Sequence, residues 1–164
     1  MNRTVKNSSR LTCEMPTHYI NVDLDIYSRV SLKGLVDAMG EKASVLGIFG
    51  EGRKHEVHVS WRSSHGMSVD QTIIGLTRLV KRLPPRYRKV WDSAKSREFN
   101  IGIEAGLKPH SFELRLAQRT VDALREVGGT FVITVYAPVL EEAKTPRSRK
   151  RAAAKRHRGG AVQD

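Results

Sequence analysis

Residues 98–138 read EFNIGIEAGLKPHSFELRLAQRTVDALREVGGTFVITVYAP, and this stretch decides the fold. In its first part, Phe99, Ile101 and Ile103 occupy every second position, which predicts a strand with one buried face. Residues 111–127 follow a helical period that starts at a Ser111 cap and carries a seam of Leu114, Ala117, Val121 and Leu124. Gly128–Gly129 then ends the helix, and residues 130–136 predict a last strand. The stretch is therefore predicted to form a strand, a helix and a strand.

A similar plan occurs upstream, over residues 19–49. YINVDLDIY alternates strictly, which predicts a strand that buries Ile20, Val22, Leu24 and Ile26. A helix with Ser31 as its N-cap and Gly40 just past its end follows, and residues 44–49 predict a second strand. The two units are either a weak twofold pseudo-repeat or simply two ordinary strand-helix-strand units, and the pattern leaves both interpretations open.

The segment between these units adds one strand and two helices. HEVHVSW at 55–61 alternates and follows a turn at GEGRK. Ser68 and Gln71 form a capping box at the start of a helix that ends before Pro84–Pro85, and residues 86–94 predict a short helix. We predict an α+β fold, a two-layer sandwich with a ferredoxin-like, mostly antiparallel sheet and helices on one face.

Length and charge divide the chain into three parts. The 164 residues suit one domain, which we place at 17–140, with a flexible arm at 1–16 and a disordered basic tail at 141–164. Net charge is +12, and residues 144–164 supply +7 of it. A single cysteine, Cys13, favours a reducing compartment. The N-terminus has no secretory pattern, and no apolar run approaches the length of a membrane span, so we predict a cytoplasmic protein without membrane contact.

Three landmarks carry a resemblance to a known family. They are INVDLDIYS with the helix that ends at Met39-Gly40, the Trp-ended strand HEVHVSW, and the closing ALREVGGTFVITVY. Over residues 18–138 this pattern resembles the bacterial domain of unknown function four-two-seven-nine. The resemblance implies a small two-layer α+β binding domain without assigned catalytic residues. Small domains of this type occur among bacterial immunity and defence proteins, which is an analogy of fold.

The polar side chains that alternate with the apolar ones along the strands form the first candidate site. It is predicted to lie on the sheet face away from the helices, where carboxylates and a histidine on adjacent strands can bind a partner protein, a cationic ligand or a metal ion. A simple solvated face is the alternative interpretation. The predicted face comprises Asn21, Asp23, Asp25, Glu56, His58, Ser60, Asn100, Glu104, Thr134 and Tyr136.

Basic residues form the second candidate site. One group surrounds the second predicted helix: Arg78, Lys81, Arg82, Arg86, Arg88 and Lys89. The other group lies in the tail: Arg147, Arg149, Lys150, Arg151, Lys155, Arg156 and Arg158. Cations of this density can neutralise phosphates and release counterions. The alternative is that they only keep the chain soluble.

Catalytic and metal motifs are missing from the sequence. HEVH at 55–58 lacks the zinc spacing H-E-x-x-H, and on a strand His55 and His58 point to opposite faces. The glycines of LGIFGEGRKH match neither a dinucleotide fingerprint nor a P-loop. We therefore predict a non-enzymatic binding domain without cofactor or metal, and keep sequence-nonspecific nucleic-acid binding as the alternative and a metal-dependent enzyme as a lesser one. The sequence does not indicate an oligomeric state.

Overall fold

A computed structural model describes residues 16–107 and 110–138. Nine elements follow one another in these ranges: β1 (His18–Ser28), α1 (Lys33–Met39), β2 (Ala43–Glu51), β3 (Lys54–Trp61), α2 (Val69–Lys81), α3 (Pro85–Asp92), β4 (Ser96–Glu104), α4 (Gln118–Val127) and β5 (Thr130–Tyr136). The fold is α+β, as predicted. The predicted arm and tail lie outside the described residues, apart from Pro16. No helix in the described ranges is long and apolar enough to cross a membrane.

The five strands form one mixed sheet in the order β2-β3-β1-β4-β5. The pairs β2–β3, β3–β1 and β1–β4 are antiparallel, whereas β4 and β5 run parallel. The two strand-helix-strand units therefore differ. In the first unit β3 separates β1 from β2, and in the second unit β4 and β5 are direct neighbours.

Side chains on one face of the central strands form the core. Val22, Leu24 and Ile26 of β1 are completely buried, as are Val57 and Val59 of β3. They join one cluster with residues of all four helices, among them the fully buried Ile73, Leu76 and Trp91. Burying each large apolar side chain stabilises the fold by about 1.5–3 kcal/mol. The buried parity therefore fixes which sheet face carries the helices.

The helix α2 follows its sequence signals closely. Ser68 accepts a hydrogen bond from the backbone N–H of Gln71, and the Gln71 side chain accepts one from the backbone of Ser68, so the predicted capping box is present. Apolar residues that recur every three or four positions along α2 and just past its end are all buried: Val69, Ile73, Leu76, Val80 and Leu83.

The predicted helix over 111–127 is wrong in its first half. The helix α4 begins only at Gln118, and its N-cap Ala117 has an extended backbone. Leu114 and Leu116, two residues apart, instead pack against the core from a non-helical segment. Helix α1 likewise begins after Leu32, so Ser31 lies one residue too early to be its N-cap.

The strand β5 is present as predicted, but the apolar side chains on its helix-bearing side are exposed. Phe131, Ile133 and Val135 pair in register with Phe99, Ile101 and Ile103, yet each is at least half exposed. Their partners on β4 are buried. The reason is position, because β5 is an edge strand and α4 packs mainly against α2 and only slightly against β5. Ile20 is also exposed, because a register shift between Tyr19 and Asn21 turns Tyr19 toward the core.

Candidate functional site

Strand pairing brings the predicted polar residues onto one continuous surface, which we call the polar face. Asp23 lies opposite Ser60 on one side and Asn100 on the other. Asp25 lies opposite His58. The face consists of Asn21, Asp23, Asp25, Tyr27, Glu56, His58, Ser60, Glu98, Asn100, Glu104, Thr134 and Tyr136.

Asp25 is the centre of this face and is only 6% exposed. Its Oδ1 lies 2.6 Å from His58 Nδ1, and its Oδ2 accepts a hydrogen bond of 3.3 Å from Asn100 Nδ2. A buried carboxylate is costly unless it is paired and hydrogen-bonded, and Asp25 is both. The adjacent strands therefore supply the partners that allow this charge to be buried.

The network extends from Asp25 in both directions across four strands. On the β3 side, His58 Nε2 lies 2.7 Å from Glu56 Oε1. On the β5 side, the Thr134 hydroxyl donates to Asn100 Oδ1 at 2.7 Å. A chain of contacts thus connects Glu56, on β3, with Thr134, on β5, and fixes the rotamers of its members.

The surroundings of His58 favour its charged form. Desolvation alone lowers the pKa of His58, but the hydrogen bond to Asp25 and the charges of Asp25 and Glu56 outweigh it and raise the pKa above its ordinary value. With a carboxylate at each ring nitrogen, the imidazolium donates to both sides. Neither nitrogen is free to accept a proton from a substrate, so this arrangement does not resemble a catalytic base.

Two further groups on the polar face titrate abnormally. Desolvation raises the pKa of Asp23 and the charge of Asp25 raises it further, while the hydrogen bond from Asn21 Nδ2 (2.9 Å) and the nearby His58 lower it. Desolvation, followed by the charges of Glu56 and Asp25, raises the pKa of Tyr27 to about 12. The face is therefore crowded with negative charge that His58 only partly compensates.

The other predicted members lie on the polar face but outside this chain of contacts. Ser60 lies between Asp23 on β1 and Ser44 on β2. Glu104 lies at the far end, where its Oε2 is 3.7 Å from the Nε2 of His18. Tyr136 is opposite Glu104 on β5 and half exposed.

Three residues of this region were not predicted from the sequence. Glu98 on β4 lies opposite Asp25 on β1. It is two residues before Asn100 and therefore on the same face of the strand, so the sequence could have predicted its place. Tyr27 lies opposite Glu56. Phe49 joins the face because a register shift between Val45 and Gly47 reverses the parity of β2, and its ring meets that of His58 edge-on at 5.9 Å. Gly47, a glycine inside the strand, is the local signal of such a bulge, but it does not indicate which side chain the bulge brings to the face.

A groove of about 900 Å³ borders the polar face where the β2–β3 hairpin ends. Tyr27 and Phe49 contribute aromatic surface to it, and Glu56 contributes a carboxylate. Arg29, Arg53, Lys54 and Lys95 also line it, so its charge is mixed. The groove gives a docking partner a concave edge beside the flat sheet.

The basic residues around α2 make different local contacts. Lys81 pairs with Glu126, and Arg88 Nε lies 2.9 Å from Asp92 Oδ1. Arg86 stacks over the Tyr87 ring at 4.4 Å, and Lys89 is exposed in the last turn of α3. Arg78 and Arg82 line a cavity beside α2. The predicted cationic residues of the tail lie outside the described residues.

Metal ligands do not converge in the part of the chain that the structure describes. No group of three or more His, Cys, Asp or Glu side chains there is placed to hold a metal ion. The three nearest candidates, Asp25, His58 and Glu56, instead satisfy one another through direct contacts. This arrangement does not favour the metal-dependent alternative.

Comparisons with protein-family models, curated proteins and solved structures give no match for this chain. The resemblance to the domain of unknown function four-two-seven-nine therefore stays a prediction.

Proposed function

We propose that this chain is a non-enzymatic binding domain whose polar face engages a basic surface of a partner protein. One observation carries the proposal. On the polar face, the strands β1, β3, β4 and β5 carry five carboxylates against one Lys, Lys54, and no Arg, in a chain of net charge +12. The carboxylates are Asp23, Asp25, Glu56, Glu98 and Glu104. Charge of one sign gathered on one face steers an oppositely charged partner and selects against others.

The geometry supports binding over chemistry. The Asp25–His58–Glu56 contacts occupy the groups that would otherwise act as acid or base. Side chains held by a shared network lose little conformational entropy on association, which favours a preformed docking surface. Asp25 acts inside this surface as a positioning group, while the more exposed Glu56, Glu98 and Glu104 offer carboxylates to the partner.

We also propose a more detailed fold class. The order β4-β1-β3-β2, all antiparallel, with helices in the connections from β1 to β2 and from β3 to β4, supports a ferredoxin-like, two-layer arrangement to which β5 is added at one edge. A role among bacterial immunity or defence proteins and a cytoplasmic location remain predictions. Both are compatible with a small domain that acts by binding.

The experiment that tests this function is affinity capture with the full-length chain, after nuclease treatment to remove material held by the tail. The face variant Glu98→Lys/Glu104→Lys reverses two charges on the polar face. The matched control Asp37→Lys/Glu41→Lys reverses two exposed charges at the end of α1 and just beyond it. We expect a protein that the wild type and the control retain and the face variant loses. Equal capture by all three forms contradicts the proposal.

A second candidate is sequence-nonspecific nucleic-acid binding by the tail together with Arg78, Arg82, Arg86 and Lys89. Within residues 16–107 and 110–138 no carboxylate forms an ion pair with these four cations, which favours their contact with phosphates. DNA and RNA binding should be measured against salt for the full chain and for a chain that ends at Glu142. Equal affinity, or no dependence on salt, rules out the tail mechanism.

A further inference from the structure

A cavity of about 450 Å³ lies on the helix-bearing side of the sheet, away from the polar face. Its wall is the outer surface of α2, and Trp61 at the end of β3 lies opposite. Trp61 lies close to α2. A Cβ added to Gly75 would come within 2.9 Å of the ring carbons of Trp61. The volume of the cavity lies within the range of small-molecule sites.

Four cations from three parts of the chain line this cavity. Arg78 and Arg82 lie one turn apart on α2 and in its C-cap. Lys42 comes from the turn before β2, and Arg119 from the first turn of α4. In the described ranges none of the four forms an ion pair with a carboxylate, and the Lys42 ammonium instead lies 5.7 Å from the centre of the Trp61 ring.

The single carboxylate in the lining is already engaged. Asp70 Oδ1 accepts hydrogen bonds from the backbone N–H of Ala117 and from the Thr120 hydroxyl. Among the residues that the structure describes, the lining therefore holds four positive charges against one negative charge. Like charges one helical turn apart destabilise a helix, and an anion in the cavity removes that repulsion.

We propose that this cavity binds a small phosphorylated ligand. Guanidinium groups present a planar fork that matches phosphate oxygens, and Arg78, Arg82 and Arg119 supply three such forks. A phosphomonoester carries about −1.5 to −2 charges near neutral pH, which suits four cations better than the single charge of a carboxylate. Met67, Ile74 and Trp61 provide apolar surface for the organic part of the ligand. This site is independent of the polar face.

The test is calorimetric titration of the full-length protein with ADP, AMP and adenosine as probes. We expect ADP to bind more tightly than AMP, and adenosine to show no binding at tenfold higher concentration. Arg78→Gln and Arg82→Gln should each weaken ADP binding about tenfold, the loss expected when a charge-assisted hydrogen bond to phosphate disappears. Both side chains are exposed, so the variants should keep the wild-type unfolding temperature.

Arg86→Gln is the matched control, because it removes one arginine of α3 that stacks on Tyr87 and does not line the cavity. Its affinity for ADP should stay within twofold of the wild type. Three results overturn the proposal: unchanged ADP affinity in Arg78→Gln and Arg82→Gln, binding of adenosine as tight as that of AMP, or ADP affinity that Arg86→Gln reduces as much as the cavity variants do. Binding of a single-stranded oligonucleotide but not of ADP assigns these cations to nucleic acid and also overturns it.

Discussion

Asp25 and His58 face each other across β1 and β3 at 2.6 Å, and this pair connects both halves of the polar face. On one side it leads to Glu56, and on the other to Asn100 and Thr134. A carboxylate that is only 6% exposed depends on these partners. The consequences for stability can be measured directly.

Asp25→Ala should lower the free energy of unfolding by about 2–3 kcal/mol, because it removes a charge-assisted hydrogen bond and leaves the Asn100 amide without its acceptor. Urea denaturation followed by circular dichroism measures the change. Asp37→Ala, at an exposed position on α1, is the control and should change stability by less than about 0.5 kcal/mol. A loss no larger than that of the control would show that the network contributes little.

Stability should fall as pH rises above about 6.5. The folded-state pKa of His58 is raised above its ordinary value of 6.5, so its stabilising contribution is complete below that pH and is lost as pH rises through the higher folded value. Urea midpoints between pH 5.5 and 9 test this. His58→Gln should flatten the decline, whereas His65→Gln, in the loop before α2, should preserve it. A decline that persists unchanged in His58→Gln assigns it to other groups.

Asp70→Ala should destabilise the protein by about 1–2 kcal/mol, the typical cost of losing a helix cap. The N-cap residue of α4, Ala117, has no side chain that can accept a hydrogen bond. Asp70 on α2 supplies a carboxylate acceptor at this helix start instead. Thermal unfolding measures the loss. Asp122→Ala, in the middle of α4, is the control with the same chemical change, and a result equal to it would contradict the capping role.

Gly75→Ala should destabilise by about 1–3 kcal/mol, although alanine is the better helix former, because its Cβ would overpack against Trp61. A double-mutant cycle with Trp61→Leu separates the two effects. In the Trp61→Leu background, Gly75→Ala should be neutral or stabilising. If the cost of Gly75→Ala is the same in both backgrounds, the contact with the indole does not restrict this position.

The sequence predicts those elements whose signals are local. The period of two in β1 and β3 and the Ser68–Gln71 capping box identify their elements, and all three are present. The start of α4 could not be predicted in this way, because its cap, Asp70, lies 47 residues before Ala117 in the chain. The spacing of two residues between Leu114 and Leu116 indicates an extended segment. Apolar residues around them also fit a helical period, which conceals that indication.

The candidate site, too, could be predicted only in part from the sequence. Parity alone places Asp23, Asp25 and His58 on one face of their strands. Their contacts depend on β3 lying between β1 and β2, and that order comes from packing across the whole chain. Phe49 reaches the face only through the irregular pairing of β2, which Gly47 signals but whose register the sequence alone does not give.

Within residues 16–107 and 110–138, the strand β5 hydrogen-bonds in the sheet only to β4, and its side chains bury little surface on either side. Regions with few buried contacts open at a lower free energy than the core. Backbone amides of β5 should therefore exchange with solvent deuterium before those of β1, at the centre of the sheet. Each such opening releases Thr134 from Asn100, so the outer end of the polar network should exist as a dynamic equilibrium while its Asp25–His58 centre stays closed.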